Sequence, residues 1–283
     1  MNSHLVFQGI DGISVQTFLE SFHISKKLIY QLQQTKALTV NGEFVGFENT
    51  LKPKDKIRIR LDDFEKGSLP PVEGELEVIY EDEDLLLVNK PSGILVHPDG
   101  NGQTSLDNLV VGHFLKEGLE RKARHAYRLD RDASGLLLYP KHFLAAAHIN
   151  HQIETGKMRK RYWAVVEGKV EKDGFVDLRI GRDRHRSNRF RVSSTGKEAL
   201  TSYRVLEAGR ERTLLEVEIA HGRRHQIRVH LSHIGHPIVG DAYYGRKGPR
   251  LMLHAFYLCF LHPRTGEAME FSLPLPKEFS TRG

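Results

Sequence analysis

The segment HAYRLDRDASGLLLYPKH, residues 125–142, places a carboxylate between a basic stretch and an apolar run. Asp130 is flanked by Arg128 and Arg131, and Ser134-Gly135 and three leucines follow it. The leucines predict a buried strand, so the carboxylate stands in the turn that enters it. Most carboxylates beside arginines only form solvated surface ion pairs. An ionised, partly desolvated aspartate can also act as a nucleophile or as a base.

The length and composition of the chain limit the classes of protein to which it can belong. The 283 residues suffice for one or two domains, and 39% of them are hydrophobic, which allows a sizeable core. No apolar run approaches the roughly 20 residues that span a bilayer, and the first residues lack a signal-peptide pattern. The single cysteine, Cys259, is expected to be buried and fits a reducing compartment. We expect a cytoplasmic protein with no membrane partner, acting as a monomer.

Basic residues are clustered along the chain, which has a net charge of +6. Four tracts span residues 121–131, 157–161, 179–191 and 222–228, and the third tract contains six arginines. The planar guanidinium suits bidentate phosphate contacts and stacking on bases. One such tract could be a solvated face, but four in one chain favour a nucleic-acid partner.

An acidic, proline-containing segment divides the chain. Residues 62–75, DDFEKGSLPPVEGE, predict a polar linker stiffened by its prolines. Upstream, residues 14–60 predict two helices and a small sheet, with Ser25 as the N-cap of the second helix. We therefore predict a small α/β module over residues 1–61 and a second domain over residues 76–283.

The second domain contains more predicted strands than helices. One helix is expected to be capped by Thr104, a second to end at Gly156, and a third to run through RRHQIRVHLSHIG and close at Gly235. Because strands and helices do not alternate strictly, we expect an α+β fold. Its sheet should be mixed and largely antiparallel, with helices packed on it.

Histidines and glycine-containing loops are possible metal or nucleotide sites. Five of the 16 histidines lie in residues 221–236, and His221 and His225 have the spacing of two zinc ligands on a helix. No glutamate lies between them to act as a base, and neighbouring arginines would repel a dication. The glycine-containing segments match neither the nucleotide-binding loop nor the dinucleotide fingerprint. We therefore expect no metal and no organic cofactor.

Four stretches of the second domain carry a family resemblance. They are IYEDEDLLLVNKPSGILVHP (79–98), YRLDRDASGLLL (127–138), KRYWAVVEG (160–168) and HGRRHQIRVHLSHIGHPIVGDAYYG (221–245). In content and order they resemble the motifs of the RluA-type pseudouridine synthases. Residues 14–60, with VNG and LKPKDKIRI, resemble the S-four-type RNA-binding module that many of these enzymes carry at the same end.

The resemblance implies an activity and its residues. These enzymes isomerise a uridine in RNA: the bond from C1′ to the base nitrogen breaks, the uracil turns, and C5 bonds to C1′. The reaction needs neither a metal nor an organic cofactor. Asp130 matches the catalytic aspartate of the family, and Arg228 matches the arginine that pairs with it. Tyr162 matches the tyrosine that stacks on the target base and takes part in the final proton removal.

The resemblance also implies an RNA substrate in which the target base leaves its stack. Structured RNA is expected, with large-subunit ribosomal RNA favoured over transfer RNA. Arg128 is expected to help fill the space left by the flipped base. Further RNA contacts are expected from Lys26, Lys27, Arg161, Arg223 and Arg224.

Three positions depart from the family motifs: Tyr127 replaces a histidine, and Ala133 and His221 each replace a threonine. Two alternatives remain open. One is a catalytically silent RNA-binding or ribosome-assembly protein on the same scaffold, and the other is a metal-dependent nuclease, suggested by the histidines alone.

Overall fold

The computed structural model describes residues 4–67, 69–186 and 188–280, apart from the side chain of Asp63. The first domain contains a three-stranded antiparallel sheet with strand order β1-β3-β2 and two helices on it. Ser25 caps the second helix, as predicted, by accepting a hydrogen bond from the Leu28 amide. The first strand was not predicted. The elements are β1 (His4–Gln8), α1 (Val15–Glu20), α2 (Lys26–Gln34), β2 (Leu38–Val40) and β3 (Lys56–Arg60).

The second domain is built on one large sheet with strand order β4-β5-β6-β13-β7-β12-β11-β8, and β14 pairs with β13. The β6–β13 pair is parallel and the other pairs are antiparallel, which confirms the expected mixed, largely antiparallel sheet. From the interdomain segment onward, the elements are α3 (Asp62–Glu65), β4 (Val78–Glu81), β5 (Leu85–Lys90), α4 (Leu106–Lys116), β6 (Ser134–Pro140), α5 (Phe143–Glu154), β7 (Arg159–Glu167), β8 (Gly174–Asp177), β9 (Ile180–Arg182), β10 (Phe190–Val192), β11 (Leu200–Ala208), β12 (Arg212–Ile219), α6 (Gln226–His233), β13 (Leu253–Leu261) and β14 (Ala268–Ser272), followed by a short 3-10 helix (Lys277–Phe279).

Strand β6 is buried on both faces, which explains its continuous apolar sequence. Successive strand side chains point to opposite faces. Leu137 belongs to the apolar core that also contains residues of α4 and α6, whereas Leu136 and Leu138 belong to the core that contains residues of α5. The loop that precedes β6 is therefore attached to the most deeply buried part of the domain.

Several local predictions need correction. Helix α4 is capped by Ser105, not Thr104, because Ser105 and Asn108 exchange reciprocal side-chain and backbone hydrogen bonds. Strands β8, β9 and β10 were not predicted, and β9 and β10 form a hairpin within the most arginine-rich tract. Cys259 is half-buried, since it alternates along β13 with the buried Leu258 and Phe260.

The predicted linker is partly fixed to the second domain. Its first residues form α3, where Glu65 is buried, pairs with Arg124 and accepts a hydrogen bond from the Phe143 amide. Burial raises the pKa of Glu65, although Arg124 acts in the opposite direction. Farther along the linker, the side-chain amide of Asn108 donates a hydrogen bond to the Pro70 carbonyl at 2.9 Å.

The first domain packs directly on α5. Phe143 and Leu144 of that helix belong to the buried apolar core of the first domain. The His23 ring stacks on the His151 ring with 3.6 Å between centroids. Arg264 donates to the Val6 carbonyl at 2.8 Å. The two domains therefore share a packed interface.

Candidate active site

A cleft of about 470 Å³ lies between the loop before β6, strand β7 and the segment that leads into α6. It brings together the three residues predicted to be catalytic, although they lie far apart in the sequence. It also brings in three of the predicted RNA-binding arginines. The predicted site residues that line the cleft are Asp130, Tyr162, Arg228, Arg128, Arg223 and Arg224.

Asp130 is held by a buried arginine. Its Oδ2 atom accepts a hydrogen bond from Nη1 of Arg228 at 2.8 Å, and its side chain stays 20% exposed. The guanidinium is fixed on its other side by Asp241, through Nε to Oδ2 and Nη2 to Oδ1, both at 2.8 Å. Burial alone would lower the pKa of Arg228, but Asp241 and Asp130 raise it above its usual value. One permanently charged arginine therefore orients the Asp130 carboxylate.

Tyr162 lies in the middle of the sheet and is only 5% exposed. It stands on β7 between Val217 of β12 and Ala255 of β13. Burial first, and the negative charge of Asp130 second, raise the pKa of the Tyr162 phenol above its usual value. The side chain is therefore a neutral phenol beside the carboxylate.

A buried lysine holds the loop that carries Asp130. The ammonium of Lys90 donates to the carbonyls of Pro91 at 2.8 Å, Arg131 at 2.9 Å and Ala133 at 2.8 Å. Ser92 adds a hydrogen bond to the Asp132 carbonyl at 2.6 Å. Burial lowers the pKa of Lys90 to about 7. Sequence reasoning missed this role, although a Lys-Pro-Ser-Gly sequence at the end of a buried strand was its signal.

Gly135 fixes the approach of β6 to β13. Its φ is +115°, and a Cβ atom there would lie 2.2 Å from the Ala255 carbonyl oxygen. A larger residue would push the two strands apart next to the loop that carries Asp130. The glycine after Ser134 is thus required by the packing of β6 against β13.

The three residues that differ from the family motifs lie in different environments. The Tyr127 hydroxyl donates to the Leu136 carbonyl at 2.9 Å, which ties the start of the loop to β6. Ala133 is buried in the core, where its methyl group leaves no hydroxyl to satisfy. His221 has a buried Nδ1 atom with no partner among the described residues.

His221 and His225, which have the spacing of two zinc ligands on a helix, do not lie on a helix together. His225 has a φ of +57° and caps α6, which begins at Gln226, so both His221 and His225 precede it. His225 bonds to the Tyr244 hydroxyl at 2.8 Å, and its Nε2 lies 3.8 Å from Oδ1 of Asp130. Burial lowers the pKa of His225, which favours the neutral ring.

Within the described part of the chain, a different group has ligand atoms close enough together to hold a metal ion: Asp82, Asp84 and His262. These residues do not line the cleft. Both Asp84 oxygens accept hydrogen bonds from Arg264, and Asp82 accepts one from Tyr80. The bound guanidinium would compete directly with a dication.

The remaining predicted RNA-binding residues lie outside the cleft. Lys26 and Lys27 are exposed on α2 in the first domain. Arg161 lies on the opposite face of β7 from Tyr162, because strand side chains alternate. There it pairs with Glu216 at 3.7 Å and Glu218 at 3.5 Å.

A mixed sheet carrying an arginine-held aspartate and a buried tyrosine in a basic cleft defines the class of the pseudouridine synthases. Residues 84–233 match the family model described as RNA pseudouridylate synthase. Residues 6–57 match the RluD ribosomal pseudouridine synthase N-terminal domain. The chain belongs to the RluA-type RNA pseudouridine synthases. It is therefore an isomerase that acts on RNA.

Relatives and a solved structure agree with this assignment. The uncharacterized RNA pseudouridine synthase YhcT of Bacillus subtilis is 39% identical over 90% of this chain and 86% of its own length. The ribosomal large subunit pseudouridine synthase D of Pseudomonas aeruginosa is 33% identical over 96% of this chain and 90% of its own. The structure of human RNA pseudouridylate synthase domain containing 1 has a TM-score of 0.61 and 29% identity, covering 72% of this chain and 85% of that one. No helix in the described ranges is long and apolar enough to cross a membrane.

Proposed function

We propose that this enzyme converts a uridine of large-subunit ribosomal RNA to pseudouridine, with Asp130 as the catalytic carboxylate. The observation that carries the catalytic assignment is the 2.8 Å bond between a partly exposed Asp130 and a buried Arg228. Relatives named ribosomal large subunit pseudouridine synthase D, from several bacteria, support ribosomal RNA as the substrate.

Asp130 acts on the sugar of the flipped nucleotide, as a nucleophile at C1′ or as a base at the 2′ position. Arg228 holds the carboxylate turned into the cleft through its 2.8 Å hydrogen bond. Tyr162 supplies a flat face for the uracil. Because its phenol is neutral, Tyr162 can accept the proton from C5 only while passing its own proton to a neighbour, and Asp130 is the charged group whose field acts on it.

Three arginines are placed to bind the RNA backbone at the mouth of the cleft. Arg128 and Arg224 are exposed, and Arg223 is half-buried and donates to the Glu198 carbonyl at 2.8 Å. Extruding a base costs a few kcal/mol, and phosphate contacts from these residues offset that cost. Arg128, which precedes the catalytic loop, is the candidate to occupy the space left by the base.

Residues 1–61 add RNA affinity and site choice in this proposal. The exposed Lys26 and Lys27 on α2 are the candidate phosphate contacts. The packing of this domain on Phe143 and Leu144 gives it a fixed position relative to the cleft. We place the enzyme in the cytoplasm, where its RNA substrate and a reduced Cys259 are expected, and we propose that it acts as a monomer.

Asp130→Asn tests the catalytic assignment. The amide keeps the shape of the side chain but removes its nucleophilicity and basicity. With ribosomal RNA carrying tritium at C5 of its uridines, tritium release should be abolished, while RNA affinity should stay within a few-fold of wild type.

Asp132→Asn is the matched control. Asp132 is a second carboxylate of the same loop, paired with Arg131, and its contact with Ser92 uses the backbone carbonyl. It should keep most of the activity. Multiple turnover by Asp130→Asn, with contamination excluded, would refute the assignment. Mapping pseudouridine in RNA from cells lacking the enzyme identifies the target.

A further inference from the structure

Lys160 is a cleft residue to which the reaction described so far gives no role. It lies on β7 two residues before Tyr162, so both side chains point to the same face of the sheet. At about 3.3 Å per residue, their Cα atoms are roughly 7 Å apart. Lys160 lines the same cleft as Asp130 and is half-buried. Its side chain can therefore reach a base stacked on Tyr162.

The ammonium of Lys160 has no carboxylate at ion-pair distance among the described residues. Its contact is the face of Tyr127, with 4.5 Å between Nζ and the ring centroid. The two arginines beside it on β7 differ, because Arg159 pairs with Glu218 and Arg161 with Glu216 and Glu218. An aromatic face holds a cation in place without neutralising it. Lys160 thus presents an uncompensated positive charge inside the cleft.

We propose that Lys160 donates a hydrogen bond to a carbonyl oxygen of the target uracil and stabilises the negative charge that the base acquires during the reaction. This inference rests on the proposed placement of the base between Asp130 and Tyr162. When the C1′–N1 bond breaks, its electron pair stays on the uracil and is shared between O2 and O4. The pair forming the new C5–C1′ bond comes from the base, whose C5 loses a proton while N1 gains one. Lys160 itself gives up and gains no atom or electron pair in these steps.

The location of Lys160 favours the base over a phosphate. Arg128 and Arg224 are exposed at the mouth of the cleft, where the RNA backbone must remain. Burial lowers the pKa of Lys160 to about 8, so its ammonium is withdrawn from water. A cation in such a site interacts more strongly with developing charge than one at the surface. The other titratable residues that line the cleft are His97, Asp99, Tyr127, Arg128, Asp130, Arg131, Asp132, Tyr162, Arg223, Arg224, His225, Arg228 and Tyr243.

Lys160→Met tests the proposal in the full-length enzyme. Removing one preorganised donor to developing charge typically costs about 10²- to 10³-fold in rate. We expect a loss of that size in the single-turnover rate at saturating RNA, with RNA affinity within about threefold of wild type. Lys160→Arg, which keeps the charge, should recover most of the rate. Lys157→Met removes an exposed lysine of the same segment and is the control.

The pH profile provides a measurement that does not depend on any variant folding. The wild-type single-turnover rate should fall as the pH rises through about 8, because Lys160 then loses its proton. The decrease that Lys160 causes should be absent from both Lys160→Arg and Lys160→Met, whereas any decrease caused by Lys90, whose pKa is about 7, should persist in all three proteins. A folded Lys160→Met with a wild-type rate and profile would overturn the proposal.

Weaker RNA binding at an unchanged chemical rate would also overturn it, because that result would assign Lys160 to a phosphate. The outcome is separable from the proposed function. If Asp130→Asn is inactive while Lys160→Met is fully active, only the role of Lys160 fails. If Asp130→Asn is active, the placement of the base fails as well.

Discussion

Asp241 should control the geometry of the catalytic pair although it does not line the cleft. Its Oδ1 atom accepts hydrogen bonds from Nη2 of Arg228 at 2.8 Å, from the Tyr243 amide at 2.9 Å and from the Tyr244 amide at 3.1 Å. Its Oδ2 atom accepts one from Nε of Arg228 at 2.8 Å. All four donors converge on one buried carboxylate.

Asp241→Asn keeps the shape of the side chain but leaves one acceptor oxygen. If that oxygen takes the Oδ1 position, the new NH₂ group faces Nε of Arg228, and two donors oppose each other. A hydrogen bond to a charged group is worth about 1.5–3 kcal/mol, and breaking a buried ion pair costs about 3–5 kcal/mol. We expect a loss of about 3 kcal/mol in the free energy of unfolding, which in a domain of this size lowers the Tm by roughly 6–12 °C.

The same substitution should reduce catalysis. Asp130 is then the one carboxylate paired with Arg228, and the hydrogen bond from Nε is lost, so the guanidinium can turn and Asp130 loses its fixed direction. We expect the single-turnover rate to fall about 10- to 100-fold with RNA affinity nearly unchanged, as for an interaction used in the transition state. Thermal unfolding and tritium release at saturating RNA measure the two effects.

Asp177→Asn is the control for Asp241→Asn, because Asp177 is exposed on β8. It should leave both the Tm and the rate unchanged. If Asp241→Asn instead melts within about 2 °C of wild type and isomerises uridine at the wild-type rate, Arg228 does not need its second carboxylate. The account of how Asp130 is positioned would then be refuted.

Two further predictions concern residues that support the fold. Lys90→Met leaves the carbonyls of Pro91, Arg131 and Ala133 without their donor, so calorimetry should show a loss of about 3 kcal/mol in the free energy of unfolding. The isomerisation rate should fall more than RNA affinity, and an unchanged stability would contradict the role of Lys90. Burial would raise the pKa of Asp84, but hydrogen bonds and charge from His142 and Arg264 hold this pKa well below 3.8. The ionised form of Asp84 therefore stabilises the fold at neutral pH, and this contribution is lost as the pH falls through the folded-state pKa. Asp84→Asn should therefore be less stable than wild type at pH 7, and the difference should shrink in acid; a constant difference at all pH values would contradict this linkage.

The packed interface between the domains changes what the first domain is expected to do. A chain that begins near Leu69 would uncover Phe143 and Leu144, which the first domain now buries, and would also lose Glu65, the partner of Arg124. Fully burying one large apolar side chain contributes about 1.5–3 kcal/mol. The first domain therefore stabilises the catalytic domain in addition to any contact it makes with RNA.

The sequence by itself determined the elements whose patterns are local. The leucines of residues 136–138 predicted a strand, Ser25 predicted a helix start, and the order of four motifs indicated the family. These signals need only neighbours along the chain, because caps and periodicity are set within a few residues. The choice of Thr104 over Ser105 failed on the same scale, since two adjacent hydroxyl residues can both cap and only the backbone geometry selects one.

Only the tertiary structure decided how the site is assembled. Asp130 and Arg228 are separated by 98 positions and meet because α6, which packs against β10 and β11, brings Arg228 to the loop before β6. The cradle formed by Lys90, the second carboxylate at Asp241 and the unpaired ammonium of Lys160 depend on the same packing. The first two are buried polar contacts and the third is a partly buried charge, and their strength depends on burial that no local pattern specifies. The sequence could therefore indicate a candidate catalytic carboxylate, while the folded chain determines which groups orient it.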